Sequence, residues 1–231
     1  MKTFSISIIL YIIYFSTVSG QETKVIRPGI FTGVRVSSKI DAELILAREP
    51  AVEINFNDAD VGCLIAEVDE SILKLRMKTG KYNQEDLKVK IYYTGDLIEI
   101  SSDGRANIWS DEELYLTGIK MNLSNGGSIR LKTVADHLDA ELAQGSILVI
   151  SGKAGKLDLK VSTAATFSGY DLQVEEADIL ANSGGKAKVS VSRYLKAKAI
   201  SGGWIGYLAD PEKIDSQASL KGEIVKTEIE E

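Results

Sequence analysis

Acid–base chemistry in this 231-residue chain would have to pass through its one histidine, His137, set in Ala135-Asp136-His137-Leu138-Asp139. Asp136 or Asp139 could orient the imidazole as a base, and a Ser-His-Asp triad would depend entirely on this residue. The simpler reading is a solvated loop residue between acids. The one cysteine, Cys63, lies in the apolar run Val61-Gly62-Cys63-Leu64-Ile65, where a thiol behaves as a small buried hydrophobe. A single Cys excludes an internal disulfide and any CxxC metal or redox site, and a single His removes most zinc chemistry.

Oxygen ligands and carboxylates remain. Asn55, Asn57, Asp58 and Asp60 crowd oxygens as Ca²⁺ requires, but without the Gly and distal Glu of an EF-hand loop, and a polar turn between strands explains them equally well. Glu175, Glu176 and Asp178 form one acidic cluster and Asp111, Glu112 and Glu113 another. Carboxylate pairs can cleave glycosidic bonds, although acids facing water are the default. Lys153-Ala154-Gly155-Lys156 and Gly184-Gly185-Lys186-Ala187 have neither the spacing nor the following helix of a phosphate loop. Trp109, Trp204 and Tyr207 could stack on sugars if exposed; Trp204 and Tyr207, which follow the final double-glycine corner, are expected to close the end of the fold against water. Asn122-Leu123-Ser124 matches a glycosylation acceptor and is read as incidental. No catalytic, cofactor-binding or metal residue is assigned, and no cofactor is expected.

The elements that would position these groups are strands. Val34-Arg35-Val36, Ala42 to Leu46, Val52 to Phe56, Ile72 to Met77 and Leu87 to Tyr92 alternate apolar and polar residues at period two, which puts one set of side chains on each face. The best helical candidate, Asp111-Glu112-Glu113-Leu114, is a single turn at most. Beyond Gly104 small-residue corners recur. Aligned on Gly127, Gly145, Ala165, Gly185, Gly203 and Gly222, they are spaced 18, 20, 20, 18 and 19 residues apart.

One such unit cannot bury its own apolar face, whereas stacked units share a continuous column of inward side chains. The fold class is therefore all-β, a parallel β-helix or solenoid with rungs of about 18–20 residues. The strands from Phe31 to Ile100 supply a cap or larger first rungs. The inward set comprises Ile129, Leu131, Leu138, Ala140, Leu142, Ile147, Val149, Leu157, Leu159, Val161, Leu172, Val174, Ile179, Val189, Val191, Leu195, Ala197 and Ala199. The tail from Ile224 to Glu231 alternates too and reads as an edge strand blunted by acids.

Residues 1–20 begin Met1-Lys2, run apolar from Ile6 to Phe15 and end Ser16-Thr17-Val18-Ser19-Gly20, the pattern of a secretory signal peptide cleaved after Gly20. Its removal takes one Lys and no acid, leaving 26 Lys and Arg against 33 Asp and Glu, a net charge of −7. An acidic chain without a basic stripe repels phosphate backbones, which argues against nucleic acid as a partner. No membrane span is expected after cleavage. The expected organisation is 1–20 signal peptide, 21–30 leader, 31–222 solenoid and 223–231 acidic tail or edge strand.

The segment Leu195-Lys196-Ala197-Lys198-Ala199-Ile200-Ser201-Gly202-Gly203-Trp204-Ile205-Gly206-Tyr207-Leu208-Ala209-Asp210-Pro211 resembles the closing signature of the bacterial putative auto-transporter adhesin, head GIN domain family: L-x-A, a Ser-Gly corner, an apolar residue, then Y-x-G-x-P. Phe31-Thr32-Gly33-Val34-Arg35-Val36 is similar to that family's opening strand. The chain departs from the pattern at Ala209, where the family has Gly, and at the degenerate corner Ala164-Ala165. The resemblance implies an exported, non-enzymatic β-helical protein of the bacterial envelope, in the periplasm or at the outer surface. Expected partners are a glycan or a protein at a solenoid face, or further copies of the chain. The alternatives are a carbohydrate-active β-helix enzyme using surface carboxylates and a self-stacking structural protein.

Overall fold

A computed structural model describes residues 22–56, 64–78 and 87–228, and every regular element among them is a strand. Eight short strands come first: β1 (Glu22–Ile26), β2 (Gly33–Ser37), β3 (Ile40–Leu46), β4 (Ala51–Phe56), β5 (Leu64–Asp69), β6 (Ile72–Met77), β7 (Leu87–Tyr93) and β8 (Glu99–Asp103). Five long ones follow: β9 (Asn107–Leu123), β10 (Ser128–Leu142), β11 (Ile147–Val161), β12 (Thr166–Ala181) and β13 (Lys186–Ile200). The chain ends with β14 (Trp204–Tyr207), β15 (Lys213–Ser219) and β16 (Glu223–Lys226). Strands β9 to β13 stack in parallel, and the whole is a β-solenoid of about 7 turns with rungs of about 19 residues. Asp111 to Leu114 lie within β9, so the one candidate helical turn is strand.

Stacking in register turns period-two alternation into columns. Ile108, Ile129, Leu148, Phe167, Ala187 and Ile205 follow one another across successive rungs, none more than 1% exposed. Met121, Ala140, Leu159, Ile179 and Ala197 form a second column. Of the expected inward set, Ile147 and Val149 are misplaced: they are 46% and 42% exposed, while Leu148 and Ile150 point in. Four consecutive apolar residues carry no phase. The phase is set instead by Ser146, which is buried and donates its hydroxyl to the Leu123 carbonyl.

Each tight corner pairs two left-handed residues, such as Asn125 (φ 50) with Gly126 (φ 75) and Thr163 (φ 49) with Ala164 (φ 58). A bond from the Gly127 amide to the Ser124 carbonyl (2.9 Å) closes the first of these turns, and the pair of positive φ values is that of a type I′ turn. The next residue points inward, and the series is Gly127, Ser146, Ala165, Gly185, Gly203 and Gly222. Gly145 is a turn residue, one place before the true equivalent, so the corner alignment shifts by one residue at that rung. Backbones approach closely here: a Cβ on Gly203 would stand 2.2 Å from the Ala181 carbonyl oxygen.

A second bend lies inside the long strands. In β10 the inward residues run Ile129, Leu131, Thr133 and Ala135, then skip to Leu138, so Asp136 and His137 both face out. Thr133, buried at this bend, donates to the Leu114 carbonyl (2.8 Å). Buried Ser102 and Ser110 likewise bond the carbonyls of Ala106 and Leu44, as buried polar groups must.

The N-terminal strands are both rungs and cap. β2 and β3 stack in parallel on β8 and β9, and β6 and β7 stack in parallel beyond them. Outermost, β5 runs antiparallel on β6, β4 antiparallel on β7, and β1 antiparallel on β4. Within the expected leader, Glu22–Ile26 is thus itself a strand. At the other end β15 and β16 stack in parallel on β13 and β14, and all seven residues of β15 are exposed. β16 is the expected edge strand, ending at Lys226; the last three residues lie outside the described ones.

Candidate ligand-binding surface

The residues flagged for chemistry are mostly committed to pairs across rungs. His137 sits in β10 at the second bend, exposed, with Nε2 at 2.8 Å from an Asp158 carboxylate oxygen on the next rung rather than on Asp136 or Asp139. Lys156 donates to the same oxygen (2.8 Å). Partial burial pushes the Asp158 carboxyl up, but the bonds from Lys156 and His137 outweigh it and hold the group below its ordinary value. Arg193 takes Glu175 with one nitrogen (3.0 Å) and Glu176 with the other (2.9 Å), and Lys196 takes Asp178 (2.6 Å). Glu113 accepts from the Tyr115 hydroxyl (2.7 Å) and pairs with Lys132 (3.3 Å), which lowers its pKa. The cluster of Glu175, Glu176 and Asp178 is therefore an ion-paired strip, and in the other cluster Glu113 alone is ion-paired. Cys63, Asn57, Asp58 and Asp60 lie outside the described residues; Asn55 is in β4.

Two surface depressions accompany these ion pairs. One, of about 330 Å³, follows the second bend past Asp136, Lys153, Gln173, Glu175 and Ser192. The other, of about 400 Å³, lies near the C-terminal end and is lined by Lys186, Lys188, Gly202, Gly203, Trp204, Lys221 and Glu223. The register builds it. Residues just after the inward corner residue face out, so Thr166, Lys186, Trp204 and Glu223 form one outer column, with Ser168, Lys188, Gly206 and Val225 in the next.

Trp204 does not close the end of the core as expected. Its indole lies on the outer face over Gly206, where an added Cβ would stand 2.2 Å from Cη2 and 2.8 Å from Cζ3. Tyr207, three residues on, turns inward in register with Val189 and packs against the core, as expected of a closing residue. Trp109 is half-buried on the outer face between Glu43 and Arg130. Among the lysines of the depression the sequence points to Lys186 alone, and only within the rejected phosphate loop; Lys188 and Lys221 are not singled out for chemistry. The signal for Lys186 is the outward position directly after the inward corner residue, which the alignment on Gly185, Gly203 and Gly222 already marks.

In-register columns, type I′ corners and paired outer faces define a protein of the parallel β-solenoid class. The chain belongs to the putative auto-transporter adhesin, head GIN domain family, whose model matches residues 30–211 and ends at Pro211. Comparison with curated proteins finds no match. Among solved structures, a putative adhesin from Bacteroides fragilis NCTC 9343 superposes with a TM-score of 0.74 at 13% identity, covering 87% of this chain and 94% of that one. A putative lipid binding protein from Parabacteroides distasonis ATCC 8503 gives 0.71 at 18% identity, covering 91% and 98%. A putative adhesin from Parabacteroides merdae ATCC 43184 gives 0.71 at 17%, covering 91% and 97%. At these identities the likeness is one of fold.

Proposed function

We propose that the protein is an exported, non-enzymatic recognition module of the bacterial envelope that holds a glycan at an outer face of its solenoid. The family's description as an adhesin and the signal-peptide pattern of residues 1–20 support export. The observation that carries the non-enzymatic reading is the state of the carboxylates. A glycosidase needs a protonated acid of raised pKa opposite a second carboxylate. Here Glu175, Glu176 and Asp178 are tied to Arg193 and Lys196, and Glu99, Glu113, Glu141 and Asp158 are all held below their ordinary values. Among the described residues, no helix is long and apolar enough to cross a membrane.

The test is a glycan and matrix-protein screen on residues 21–231, run beside an assay for polysaccharide cleavage. Binding without turnover is the expected result. Release of reducing ends that disappears in Glu175→Gln or Glu176→Gln would replace this reading with the enzymatic one. A second reading, end-to-end stacking of copies, is favoured by the exposed β15 and by Leu220, 75% exposed beside it. It predicts a mass in light scattering that rises with concentration and stays monomeric when Ile214 is replaced by Lys.

A further inference from the structure

We infer that the depression around Trp204 binds an anionic sugar residue, one carrying a carboxylate, sulfate or phosphate group. The inference rests on the glycan-recognition reading and gives it a place and a ligand chemistry. Three observations converge on it.

The first is charge. The full chain carries a formal net charge of −6, and along its outer faces Lys132, Lys156, Lys160, Lys196 and Arg193 are each neutralised by a carboxylate. Lys186, Lys188 and Lys221 line one concavity and, among the described residues, none of them has a carboxylate within ion-pair distance. Glu223 is the one acid in the lining. Three ammonium groups without a carboxylate partner, against one carboxylate in the lining, make a local positive site on an acidic molecule, which attracts an anionic group there while the remaining surface disfavours a long phosphate backbone.

The second is the platform. Because residue 206 has no side chain, the Trp204 indole lies down against the sheet instead of standing out from it. Tyr170 borders the same spot: its hydroxyl is 2.7 Å from where a Gly206 Cβ would be and shares a hydrogen bond with Thr227 Oγ1 (2.8 Å), which is within 3.3 Å of the Tyr207 carbonyl. Lys188 reaches over the Tyr170 ring, 5.7 Å from its centroid. An aromatic surface fixed in this way loses little entropy on contact with the apolar face of a pyranose.

The third is size. About 400 Å³ falls within the usual range of small-molecule sites and suits one or two sugar residues. The aromatic platform would take the C–H face of the ring and the lysines its charged substituent, with charge-assisted hydrogen bonds supplying selectivity.

The test uses the secreted protein, residues 21–231, carrying Trp109→Phe, so that Trp204 is the sole tryptophan. Polygalacturonate, dextran sulfate and a phosphorylated mannan are titrated in, with unmodified dextran as the neutral control, and Trp204 emission is read beside calorimetry. At least one acidic polymer is expected to bind and change the emission, with affinity falling as salt rises, and the one bound most tightly identifies the charged group. The triple variant Lys186→Gln/Lys188→Gln/Lys221→Gln is expected to bind about tenfold or more weakly at an unchanged melting temperature. Equal binding by the triple variant, or equal response to neutral dextran, overturns this site while leaving glycan recognition standing. A blank across all four polymers, with a different glycan found in the broad screen, overturns the site alone; a broad screen empty of glycans removes the reading on which it rests.

Discussion

Leu148 and Val149 are adjacent and both apolar, yet the rung geometry gives them opposite environments, 0% and 42% exposed. Leu148→Asp would put a carboxylate into the core column between Ile129 and Phe167. Losing the burial of leucine costs about 1.5–3 kcal/mol. The carboxylate has no cation in that column, so it must be desolvated or take up a proton; a pKa displaced by about three units corresponds to about 4 kcal/mol at neutral pH. Together these approach the entire stability of an ordinary domain, about 5–15 kcal/mol, so this variant is expected not to fold. Leu148→Ala keeps the effect measurable. Its cost of about 2–5 kcal/mol translates, at about 2–4 °C per kcal/mol for a chain of this size, into a melting temperature lower by roughly 4–20 °C. Val149→Asp places its carboxylate in water beside Arg130 of the neighbouring rung and should cost no more than about 1 kcal/mol. Melts followed by far-ultraviolet circular dichroism decide the matter. A Val149→Asp protein that melts as low as Leu148→Ala, or a Leu148→Asp protein that stays folded, would refute the assignment of faces.

Leu159→Asp, within the second core column, is expected to abolish cooperative unfolding, whereas Lys160→Asp exchanges an exposed pair with Glu141 (2.7 Å) for a solvated like-charge contact and should melt within a few degrees of the parent; similar melts for the two would contradict the register. Gly203→Ala forces a Cβ against the Ala181 carbonyl and should lower stability by about 1–3 kcal/mol in urea titration, an expectation defeated by an unchanged midpoint. The lowered folded-state pKa values of Glu99, Glu113, Glu141 and Asp158 contribute stability that is present above the unfolded carboxylate values and lost as pH falls through the folded ones. The melting temperature should therefore hold steady from neutrality to about pH 4–5 and drop below that. Asp158→Asn should shrink the acid drop, and an unaltered profile would count against the cross-rung bonds from His137 and Lys156.

The parts of the fold legible in the sequence are those where alternation is unbroken. Leu157-Asp158-Leu159-Lys160-Val161 can be placed one way only, and it lies as its pattern requires, with Leu157, Leu159 and Val161 in the core. Ile147 to Ile150 offers four apolar residues, and the deciding neighbour is Ser146, a polar residue on the core face whose hydroxyl serves a backbone carbonyl; hydropathy has no means of showing this. Asp111 to Leu114 has helical composition over one turn, but ladder bonds to β10 outweigh so short a local preference. At the N-terminus β2, β3, β4, β6 and β7 show as alternation, whereas β1 reads as leader, β5 and β8 are not picked out, and the order of the strands is not visible. β2 lies between β6 and β8 although three strands, β3 to β5, intervene in the chain between it and β6, and such a long-range exchange leaves no local pattern.

The candidate site was harder to see for a reason that belongs to solenoids in general. Chemistry within one strand shows itself at spacings of two to four residues, but neighbours on a solenoid face are a full rung apart in sequence. Lys186 and Trp204 are side by side because each directly follows the inward residue of its corner, Gly185 and Gly203. Read locally, Trp204 follows a double glycine near the end of the repeats and looks like a closing residue. Read by column, it is the fifth outward residue in the series Ser128, Ile147, Thr166, Lys186 and Trp204, and the next outward residue along its own strand is Gly206. Tyr207 has the opposite parity to Trp204 and so takes the closing role. Parity within the rung, more than residue type, thus decides which aromatic closes the core and which is left outside beside the lysines.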